Sequence, residues 1–455
     1  MDLLQAFFNR IQGKKILIQG LGLNGGGVGT ALFFLKNGFS VTITDMKTVA
    51  ELQSSVDELK EYHDNITFIL GKHQISDFIE ADIVIKGPGV SPKSEFIQAA
   101  INNGAEILSD IGIFCEISPC PIYAVTGSKG KSTTVSAIYS IFKSQTDNSF
   151  LGGNITISPL TFYNRLDDDS LVILELSSWQ LRDIENIHYA FKGAVFTNLM
   201  NDHQNYYQSM DAYFYDKKII AANQTKKNFM IIPAHDTFIK KDTIDCGQTI
   251  VEIEKDLYFK DGDGYIEISG NVIKLFSHDV IKIKGEHNRL NILFAAGLSY
   301  LAGCGLEAIE NGISQFTGVP FRMEKIREWK GVTFVNDTTA TIPEAACFAV
   351  ESYGDNVIWI AGGNDKDLDF SCVKKIESIP KKIYLLPGNG TDKLKKALNR
   401  NDYLEYSSLQ EIINHIATNF TSGETVLLSP GCTSFGLFQN EFHRGRVFNE
   451  LVNSL

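Results

Sequence analysis

The chain has 455 residues, 44% of them hydrophobic and 21% charged, and a formal net charge of −12 at pH 7. This length is too great for one typical core and predicts about three domains of an ordinary globular protein. The acidic balance and the lack of a dense Lys/Arg block in the sequence argue against a nucleic-acid-binding protein.

Targeting signals and cysteine usage indicate a cytoplasmic protein. No apolar run in the sequence approaches the length of a transmembrane helix, and residues 1–10 are too polar for a secretory signal. The 7 cysteines are scattered without a Cys-x-x-Cys pair, which is typical of reduced, mostly buried thiols rather than metal ligands or disulfides. We therefore expect no insertion into a membrane.

Short apolar strands and helical stretches alternate from residue 15 to about residue 120. This βαβ order predicts a parallel sheet. The predicted strands are residues 16–19, 41–44 and 83–85, and the predicted helices are residues 31–37 and 96–103.

The first strand of this segment is followed by a glycine-rich turn. Residues 20–25 follow the pattern Gly-x-Gly-x-x-Gly, and Asp45 ends the second strand. Taken alone, this is the fingerprint of a dinucleotide-binding turn, in which the acidic residue contacts a ribose hydroxyl. An NAD-dependent oxidoreductase is therefore one interpretation of this turn.

A phosphate-binding loop opens the second segment, residues 121 to about 318. The run Thr126-Gly127-Ser128-Lys129-Gly130-Lys131-Ser132-Thr133 directly follows an apolar strand. Such a turn can direct backbone N–H groups at phosphate oxygens, and the helix that begins near Lys131 adds its positive dipole end. A hydroxyl of Ser132 or Thr133 suits Mg²⁺. The loop predicts a nucleoside triphosphate site, and the alternative is an ordinary βα turn with a solvated lysine.

The spacing of this loop is two residues shorter than the general pattern Gly-x-x-x-x-Gly-Lys-Ser/Thr. The shortened form resembles the ATP loop of the Mur ligases, which add amino acids to a cell-wall precursor, and that of the related folylpolyglutamate synthases. The resemblance implies that the nucleotide is ATP.

The rest of the second segment and the third segment contain further strands. Between about residues 245 and 284 the pattern changes to short alternating strands, with a hairpin turn at residues 261–264. The third segment, residues 319–455, returns to βα alternation. The remaining predicted strands are residues 171–174, 194–196, 332–335, 357–361, 383–386 and 426–428, and the predicted closing helix is residues 438–452.

Polar residues follow two strands of the second segment and lie on the helix after them. Glu175 ends a predicted strand, where α/β proteins place ligands, and its carboxylate can hold Mg²⁺. The pair Asp202-His203 follows another strand end and suits a metal, although a lone pair of this kind is usually structural. Lys217 and Lys218 lie on a predicted helix, where the simple interpretation is a solvated lysine pair.

One more motif begins the helix that runs to Leu301. Asn288 and Asn291 are three residues apart and lie on one helical face. Two amides in this arrangement can bind an adenine edge. Capping of the helix is the alternative explanation.

In this order and spacing, the motifs resemble the D-glutamate-adding branch of the Mur ligases over essentially the whole chain. The run Glu175-Leu176-Ser177-Ser178-Trp179-Gln180-Leu181 indicates this branch. The resemblance implies an α/β fold of three domains. These are a Rossmann-like UDP-sugar-binding domain at residues 1–120, a central P-loop ATPase-like domain with added β-hairpins at residues 121–318, and a Rossmann-like amino-acid-binding domain at residues 319–455.

The resemblance also implies roles for individual residues. Ser132 and Glu175 would bind one Mg²⁺, and His203 would bind a second. Lys131 would be catalytic through the ATP phosphates, and Lys217 would be carbamylated. The implied ATP contacts are Gly127, Ser128, Lys129, Gly130, Lys131, Ser132, Thr133, Asn288, Asn291, Arg322 and Asp337. The implied UDP-sugar contacts are Leu23, Asn24, Asp45, Asn154, Ser177 and Gln180, and the implied glutamate contacts are Thr341, Lys366 and Ser434.

The implied function is the ATP-dependent joining of D-glutamate to UDP-N-acetylmuramoyl-L-alanine through an acyl phosphate, a step of peptidoglycan synthesis that forms ADP. The expected cofactors are ATP and Mg²⁺, the expected partners are these small molecules, and the chain is expected to be a monomer. Alternatives within the class are a ligase for another amino acid, such as L-glutamate, and a folylpolyglutamate-type synthase. Alternatives from other classes are a non-catalytic nucleotide-binding module and the NAD-dependent oxidoreductase.

Overall fold

The computed structural model describes residues 2–23, 25–155, 157–200, 207, 209–236, 238–240, 247–283, 285–365, 368–434 and 436–455. Contacts within the chain divide it into two compact units, Met1–Phe316 and Thr317–Leu455. Within the described ranges, no helix is both long enough and apolar enough to span a lipid bilayer.

The first sheet of the first unit is parallel, as predicted. Among the described residues it has five strands in the order β3-β2-β1-β4-β5, and apolar side chains cover both of its faces. This is the doubly wound arrangement in which ligands bind outside the carboxyl ends of the strands. The strands are β1 (Ile16–Gln19), β2 (Val41–Asp45), β3 (Ile66–Leu70), β4 (Ile83–Lys86) and β5 (Glu106–Leu108).

The second sheet has nine strands in the described part of the chain, in the order β14-β13-β12-β11-β10-β9-β6-β8-β7. The strands from β6 to β11 are parallel, and β12, β13 and β14 form antiparallel hairpins. The strands are β6 (Ile122–Thr126), β7 (Ser149–Gly153), β8 (Leu171–Glu175), β9 (Gly193–Phe196), β10 (Phe229–Pro233), β11 (Thr249–Ile253), β12 (Leu257–Lys260), β13 (Asp263–Ile268) and β14 (Asn271–Phe276).

The predicted hairpin turn joins β12 to β13. Lys260 pairs with Asp263, so the turn itself consists of Asp261 and Gly262. Both have positive φ, 53° and 87°. Asp-Gly is a favoured pair for such a turn because Gly carries no Cβ and Asp tolerates the left-handed region.

Helices cover the two sheets of the first unit, and one apolar core runs through both layers. Phe34, Phe114 and Phe196 belong to the same buried cluster. The boundary predicted near residue 120 therefore crosses a continuous core, and the three-domain boundaries stay predictions. The helices are α1 (Leu3–Ile11), α2 (Gly26–Lys36), α3 (Gln53–Asp57), α4 (Ile75–Glu80), α5 (Glu95–Asn102), α6 (Asp110–Ile117), α7 (Lys131–Gln145), α8 (Ser178–Asp183), α9 (Met210–Lys218), α10 (Glu286–Leu301) and α11 (Leu306–Gln315).

The second unit contains a six-stranded sheet in its described residues, in the order β15-β16-β20-β17-β18-β19. Its strands are parallel except for the edge strand β15, and separate apolar clusters around Trp359 and Tyr384 cover its two faces. The strands are β15 (Glu324–Trp329), β16 (Val332–Asn336), β17 (Val357–Gly362), β18 (Lys382–Leu386), β19 (Leu404–Glu405) and β20 (Thr425–Leu428). The helices are α12 (Pro343–Tyr353), α13 (Val373–Ile376), α14 (Asn389–Ala397), α15 (Leu409–Thr418) and α16 (Glu441–Asn453).

The closing helix begins three residues later than predicted. The side chain of Asn440 accepts a hydrogen bond from the backbone N–H of His443 at 2.8 Å, which caps the first turn of α16. Asparagine is a strong N-cap because its side-chain oxygen satisfies an N–H that has no partner within the helix. The apolar residues before Asn440 therefore precede the helix.

Candidate active site

The predicted phosphate loop connects β6 to α7, as a strand, a turn and a helix. Gly127 and Gly130 have φ values of 142° and 84°, where L side chains are strained. A Cβ at Gly127 would overlap the hydroxyl of Thr197, and a Cβ at Gly130 would lie 2.5 Å from Oδ1 of Asn291. Both positions therefore require glycine for backbone conformation and for space.

The residues that follow β9 form hydrogen bonds with the phosphate loop. The backbone N–H of Ser128 donates to the carbonyl of Asn198 at 2.9 Å, and that of Lys129 donates to Oδ1 of Asn198 at 2.9 Å. The hydroxyl of Thr197 donates to the carbonyl of Lys129 at 2.6 Å. These two N–H groups therefore fix the loop, and the N-terminus of α7, which has no side-chain cap, is the part that can face a phosphate.

Two lysines converge on this loop. Lys131 donates to the carbonyl oxygens of Gly127 and Ser128 at 3.0 and 3.1 Å. Lys217, on α9, is 1% exposed and donates to the same carbonyl of Gly127 at 2.9 Å. Its ammonium also lies 4.7 Å from the ring centroid of Tyr213. The helix α9 thus brings the predicted Lys217 to the phosphate loop.

Glu175, the last residue of β8, is 2% exposed. Its Oε1 accepts a hydrogen bond from Nδ2 of Asn154 at 2.9 Å. Its Oε2 is buried and has no hydrogen-bond partner within the described residues. A buried carboxylate oxygen without a partner is costly unless a cation compensates it, and hard oxygen donors suit Mg²⁺.

The described residues contain no cluster of three or more His, Cys, Asp or Glu side chains that could hold a metal ion. Glu175 and the hydroxyl of Ser132 are the described members of the predicted metal set that offer oxygen, and Mg²⁺ in nucleotide sites takes few protein ligands. His203, the other predicted ligand, lies outside the described residues. The orphaned oxygen of Glu175 fits a Mg²⁺ ion bound with a nucleotide.

Ser177 and Gln180, predicted to bind the UDP-sugar, form the cap of α8. The Ser177 hydroxyl accepts from the N–H of Gln180 at 3.2 Å, and the Gln180 side-chain oxygen accepts from the N–H of Ser177 at 3.1 Å. This reciprocal capping box fixes where the helix begins. Gln180 is 3% exposed. Both side chains therefore have a structural task whatever ligand they contact.

A pocket of about 110 Å³ lies beside the loop and the start of α8. It brings together four of the predicted site residues and adds three that the sequence analysis did not assign to the site. Tyr213 could have been predicted from its place four residues before Lys217, on the same helical face. The lining residues are Lys131, Asn154, Ser177, Ser178, Trp179, Tyr213 and Lys217.

The predicted pair of amides, Asn288 and Asn291, lies on α10, and Asn291 contacts the phosphate loop. Asn291 is 6% exposed, and its Oδ1 accepts from the hydroxyl of Thr134 at 3.4 Å. Its Nδ2 donates to Oδ1 of Asn288 at 3.5 Å. Because Asn291 fills the space beside Gly130, its first role is to shape the phosphate loop, and an adenine contact stays a prediction.

Asp45 supports the glycine-rich turn of the first sheet. Its Oδ2 accepts the backbone N–H groups of Leu21 and Gly22 at 2.9 and 3.0 Å, and its Oδ1 accepts that of Lys47 at 2.9 Å. Both carboxylate oxygens are thus engaged by the backbone, which disfavours the ribose contact of a dinucleotide site. Leu23 packs against the apolar core. Asn24 lies outside the described residues.

In the second unit, Asp337 follows β16 and is buried. Its Oδ2 accepts from the hydroxyl of Ser429 at 2.7 Å, and its Oδ1 accepts from the N–H of Met323 at 3.1 Å. Burial raises the pKa of Asp337 to about 6, and the Ser429 bond, the Met323 bond and the charge of Arg322 only partly offset that rise. Arg322 stands between Phe321 and Met323, which have φ values of 65° and 45°. The two predicted nucleotide contacts of this unit, Arg322 and Asp337, are therefore neighbours.

The predicted glutamate contacts are only partly described. The hydroxyl of Ser434 is buried and has no hydrogen-bond partner among the described residues. Thr341 is half-buried, and Lys366 lies outside the described residues. The sequence analysis missed Arg444, which is 1% exposed and donates to the carbonyl of Thr338 at 2.8 Å. Nothing in the sequence separates this buried arginine from the exposed charges of the same helix.

Comparison with known proteins decides the family. Residues 14–109 match the family described as Mur ligase MurD-like, N-terminal domain, and residues 125–299 match the Mur ligase middle domain. The UDP-N-acetylmuramoylalanine–D-glutamate ligase of Borreliella burgdorferi (strain ZS7) is 38% identical over 460 residues, covering 98% of this chain and 99% of that protein. The chain belongs to the D-glutamate ligase branch of the Mur ligase family.

A second relative supports the branch, and a solved structure supports the fold. The UDP-N-acetylmuramoylalanine–D-glutamate ligase of Roseiflexus sp. (strain RS-1) is 33% identical over 474 residues, covering 98% of this chain and 99% of that protein. The crystal structure of the UDP-N-acetylmuramate–alanine ligase of Thermotoga maritima has a TM-score of 0.61 at 18% identity and covers 97% of this chain and 99% of that one. At that identity it supports the fold alone. The α/β Mur ligase fold predicted from the sequence is confirmed.

Proposed function

We propose that this chain joins D-glutamate to UDP-N-acetylmuramoyl-L-alanine at the expense of ATP, in the synthesis of peptidoglycan. The observation that carries the proposal is the convergence of Lys131, Lys217 and the orphaned carboxylate of Glu175 around the phosphate loop. A cation pair and a metal-binding carboxylate at a helix N-terminus are what phosphoryl transfer from ATP requires.

The proposed reaction has two steps. The alanyl carboxylate takes the γ-phosphoryl group of ATP, which forms an acyl phosphate and releases ADP, and the amine of glutamate then displaces phosphate. Lys131 would exchange its two carbonyl acceptors for phosphate oxygens, because hydrogen bonds to an anion are stronger. Glu175 and Ser132 would hold Mg²⁺, which when bound neutralises charge on the phosphates. His203 is the proposed ligand of a second Mg²⁺.

Lys217 is proposed to react with CO₂ and lose a proton to become a carbamate. An ammonium that is buried beside a Mg²⁺ site is repelled by the metal, whereas a carbamate has the negative charge and oxygen donors that Mg²⁺ prefers. The modified side chain would then orient the metal and the acyl phosphate.

The remaining ligands are assigned to sites in each unit. The glycine-rich turn at Asp45 is the proposed site of the UDP group, and Thr341, Lys366 and Ser434 are the proposed contacts of the glutamate carboxylates. Arg322, Asp337, Asn288 and Asn291 are the proposed contacts of the nucleotide. We further propose that the chain works as a cytoplasmic monomer.

One assay tests the proposal against its alternatives within the class. Phosphate release is measured with ATP, UDP-N-acetylmuramoyl-L-alanine and a panel of D- and L-amino acids, with a pteroate substrate in parallel. We expect D-glutamate to be strongly preferred, because the wrong isomer leaves buried polar groups unpaired at a cost of about 1 to 3 kcal/mol each. A higher kcat/KM with L-glutamate would mean that the added amino acid is L-glutamate. Turnover of the pteroate would mean that the substrate belongs to a different class.

Calorimetric titration separates the proposal from the other classes. UDP is expected to bind and NAD is not, since both oxygens of Asp45 already accept backbone hydrogen bonds. Binding of NAD without UDP would support an oxidoreductase. Binding of both UDP and ATP without turnover would indicate a non-catalytic module.

A further inference from the structure

A buried ion pair joins the first sheet to the wall of the phosphate pocket. Nζ of Lys86, the last residue of β4, lies 2.7 Å from Oδ2 of Asp183, the last residue of α8. The two side chains are 5% and 6% exposed. The contact thus connects a strand of one sheet with a helix that packs on the other.

Lys86 and Asp183 each belong to an element that borders a proposed ligand site. Lys86 also donates to the carbonyl of Val90 at 3.3 Å, across the turn that follows β4 at the carboxyl edge of the first sheet. The turn is closed by the N–H of Val90 donating to the carbonyl of Gly87 at 3.1 Å. At the other end of the pair, α8 is only six residues long, and its first residues Ser178 and Trp179 line the pocket.

Stability does not explain why charges stand at these two positions. Burial raises the pKa of Asp183 to about 6, with Lys86 opposing the rise and the carboxylates of Asp110 and Asp216 adding to it. A carboxylate at the C-terminus of a helix is also disfavoured by the helix dipole. Replacing a buried ion pair by apolar residues of similar volume is often neutral or stabilising, so the pair is weak evidence for a stabilising role.

What the pair does supply is a fixed distance. It allows one hydrogen-bonded geometry, whereas an apolar contact between the same elements would permit sliding. A substrate with a nucleotide at one end and a reacting carboxylate at the other must contact the first sheet and the phosphate pocket at once. Relative movement of the first sheet and the phosphate pocket would lower the affinity for such a substrate and misplace its carboxylate.

We propose that Lys86 and Asp183 are positioning residues of the ligation, which hold the turn after β4 against α8 and thereby set the affinity for the UDP-linked substrate. The inference rests on the proposed function, because it needs a substrate that spans both elements. Neither side chain has to touch that substrate. ATP should be affected much less, because none of its proposed contacts lies on the turn after β4 or on α8.

The test compares the double variant Lys86→Met/Asp183→Leu with the wild type and with Lys143→Met/Asp147→Leu. The control removes an exposed ion pair of similar length, 2.9 Å, that joins the last turn of α7 to the residues after it. Melting temperature, kcat and the two KM values are measured. We expect the first variant to melt near the wild type, to show a roughly tenfold higher KM for the UDP-linked substrate, and to keep its KM for ATP within about twofold.

Two further variants keep the inference testable if the first double variant does not fold. Lys86→Arg keeps the charge and should keep most of the substrate affinity, and Lys86→Gln/Asp183→Asn keeps the volume and should raise the same KM about threefold or more. An unchanged KM for the UDP-linked substrate, an equal rise for ATP, or the failure of both double variants to fold would overturn the inference. Wild-type turnover tests the proposed function separately, so the two failures are distinguishable.

Discussion

Lys131 and Lys217 donate hydrogen bonds to the same acceptor, the carbonyl oxygen of Gly127, at 3.0 and 2.9 Å. The two nitrogens are therefore within about 6 Å of each other, a distance at which like charges interact appreciably. A carbonyl oxygen has two lone pairs and can accept both bonds. The Gly127 carbonyl thus brings the two lysine side chains to one point of the phosphate loop.

Replacing Lys217 tests whether this buried amine is chemically modified. We expect Lys217→Ala to lose most ligase activity and to regain part of it when a short carboxylate such as formate is added, because formate supplies the oxygen donors of a carbamate. Activity is followed by phosphate release, and intact-protein mass is measured in bicarbonate buffer.

The matched control is Lys218→Ala. Lys218 is the next residue on α9, and its ammonium lies 5.1 Å from the centroid of the exposed ring of Tyr215. This variant should stay near wild type. Loss of activity in the Lys218 variant alone would mean that the wrong lysine was chosen, and a Lys217 variant with full activity would rule out the carbamate.

Lys131→Ala should abolish ligation while leaving the fold intact. The side chain compensates phosphate charge and contributes little to the core, so the loss is in transition-state stabilisation, roughly a hundredfold or more in rate. Turnover and circular dichroism are measured together. Lys143→Ala, on the exposed face of the same helix, is the control. A folded Lys131 variant with normal turnover would show that the phosphate-loop assignment is wrong.

Glu175→Gln should change the dependence on Mg²⁺ more than the stability. Glutamine keeps the acceptor that Asn154 contacts but replaces the orphaned Oε2 by an amide nitrogen that cannot bind a cation. The Mg²⁺ concentration for half-maximal activity should rise about tenfold or more. Glu185→Gln, which removes a carboxylate that contacts Arg182 and Tyr215, should not shift it. An unchanged Mg²⁺ dependence in the Glu175 variant would exclude it as a ligand.

The raised pKa of Asp337 predicts that the stability of the fold changes with pH. Its pKa is about 6 in the folded chain against an ordinary value of 3.8, so the folded state holds its proton more tightly and the stability contribution is lost as pH rises from about 4 through 6. At pH 7.5 the ionised, buried carboxylate costs on the order of 3 kcal/mol. Asp337→Asn should therefore melt higher than the wild type at pH 7.5, and the difference should shrink at pH 4.

The same variant should bind ATP more weakly, since the carboxylate is a proposed nucleotide contact. Asparagine can keep both neighbours, because the Ser429 hydroxyl can accept from its Nδ2. Asp355→Asn, at an exposed position of the same unit, is the control for thermal melting and should show no such pH dependence. Equal melting of the Asp337 variant and the wild type at pH 7.5 would contradict the raised pKa.

Sequence reasoning succeeded where structure is encoded locally. The strand, turn and helix around Lys131 follow from eight consecutive residues, and the hairpin at Asp261 from an Asp-Gly pair between alternating residues. It did not predict β3, β5, β7, β10, β15 or β19. The strands β5 and β19 have only three and two residues, which is too short for a recognisable apolar run.

Sequence reasoning was less successful where a side chain forms hydrogen bonds with backbone that is distant in sequence. Asp45 at a strand end resembles a ribose ligand, but its Oδ2 accepts two N–H groups from the glycine turn more than twenty residues earlier. Asn198 supports the phosphate loop from the segment that follows β9. These partnerships depend on tertiary packing, which no local pattern reports.

The contact between Gly130 and Asn291 has a consequence for synthesis on the ribosome. The phosphate loop is complete in sequence at residue 133, but the amide that fills the space beside Gly130 is translated 158 residues after that loop ends. A nascent chain that has not yet exposed α10 carries the glycines and lysine of the loop without the side chain that holds them in place. Nucleotide affinity should therefore arise late in translation, once most of the first unit has left the exit tunnel.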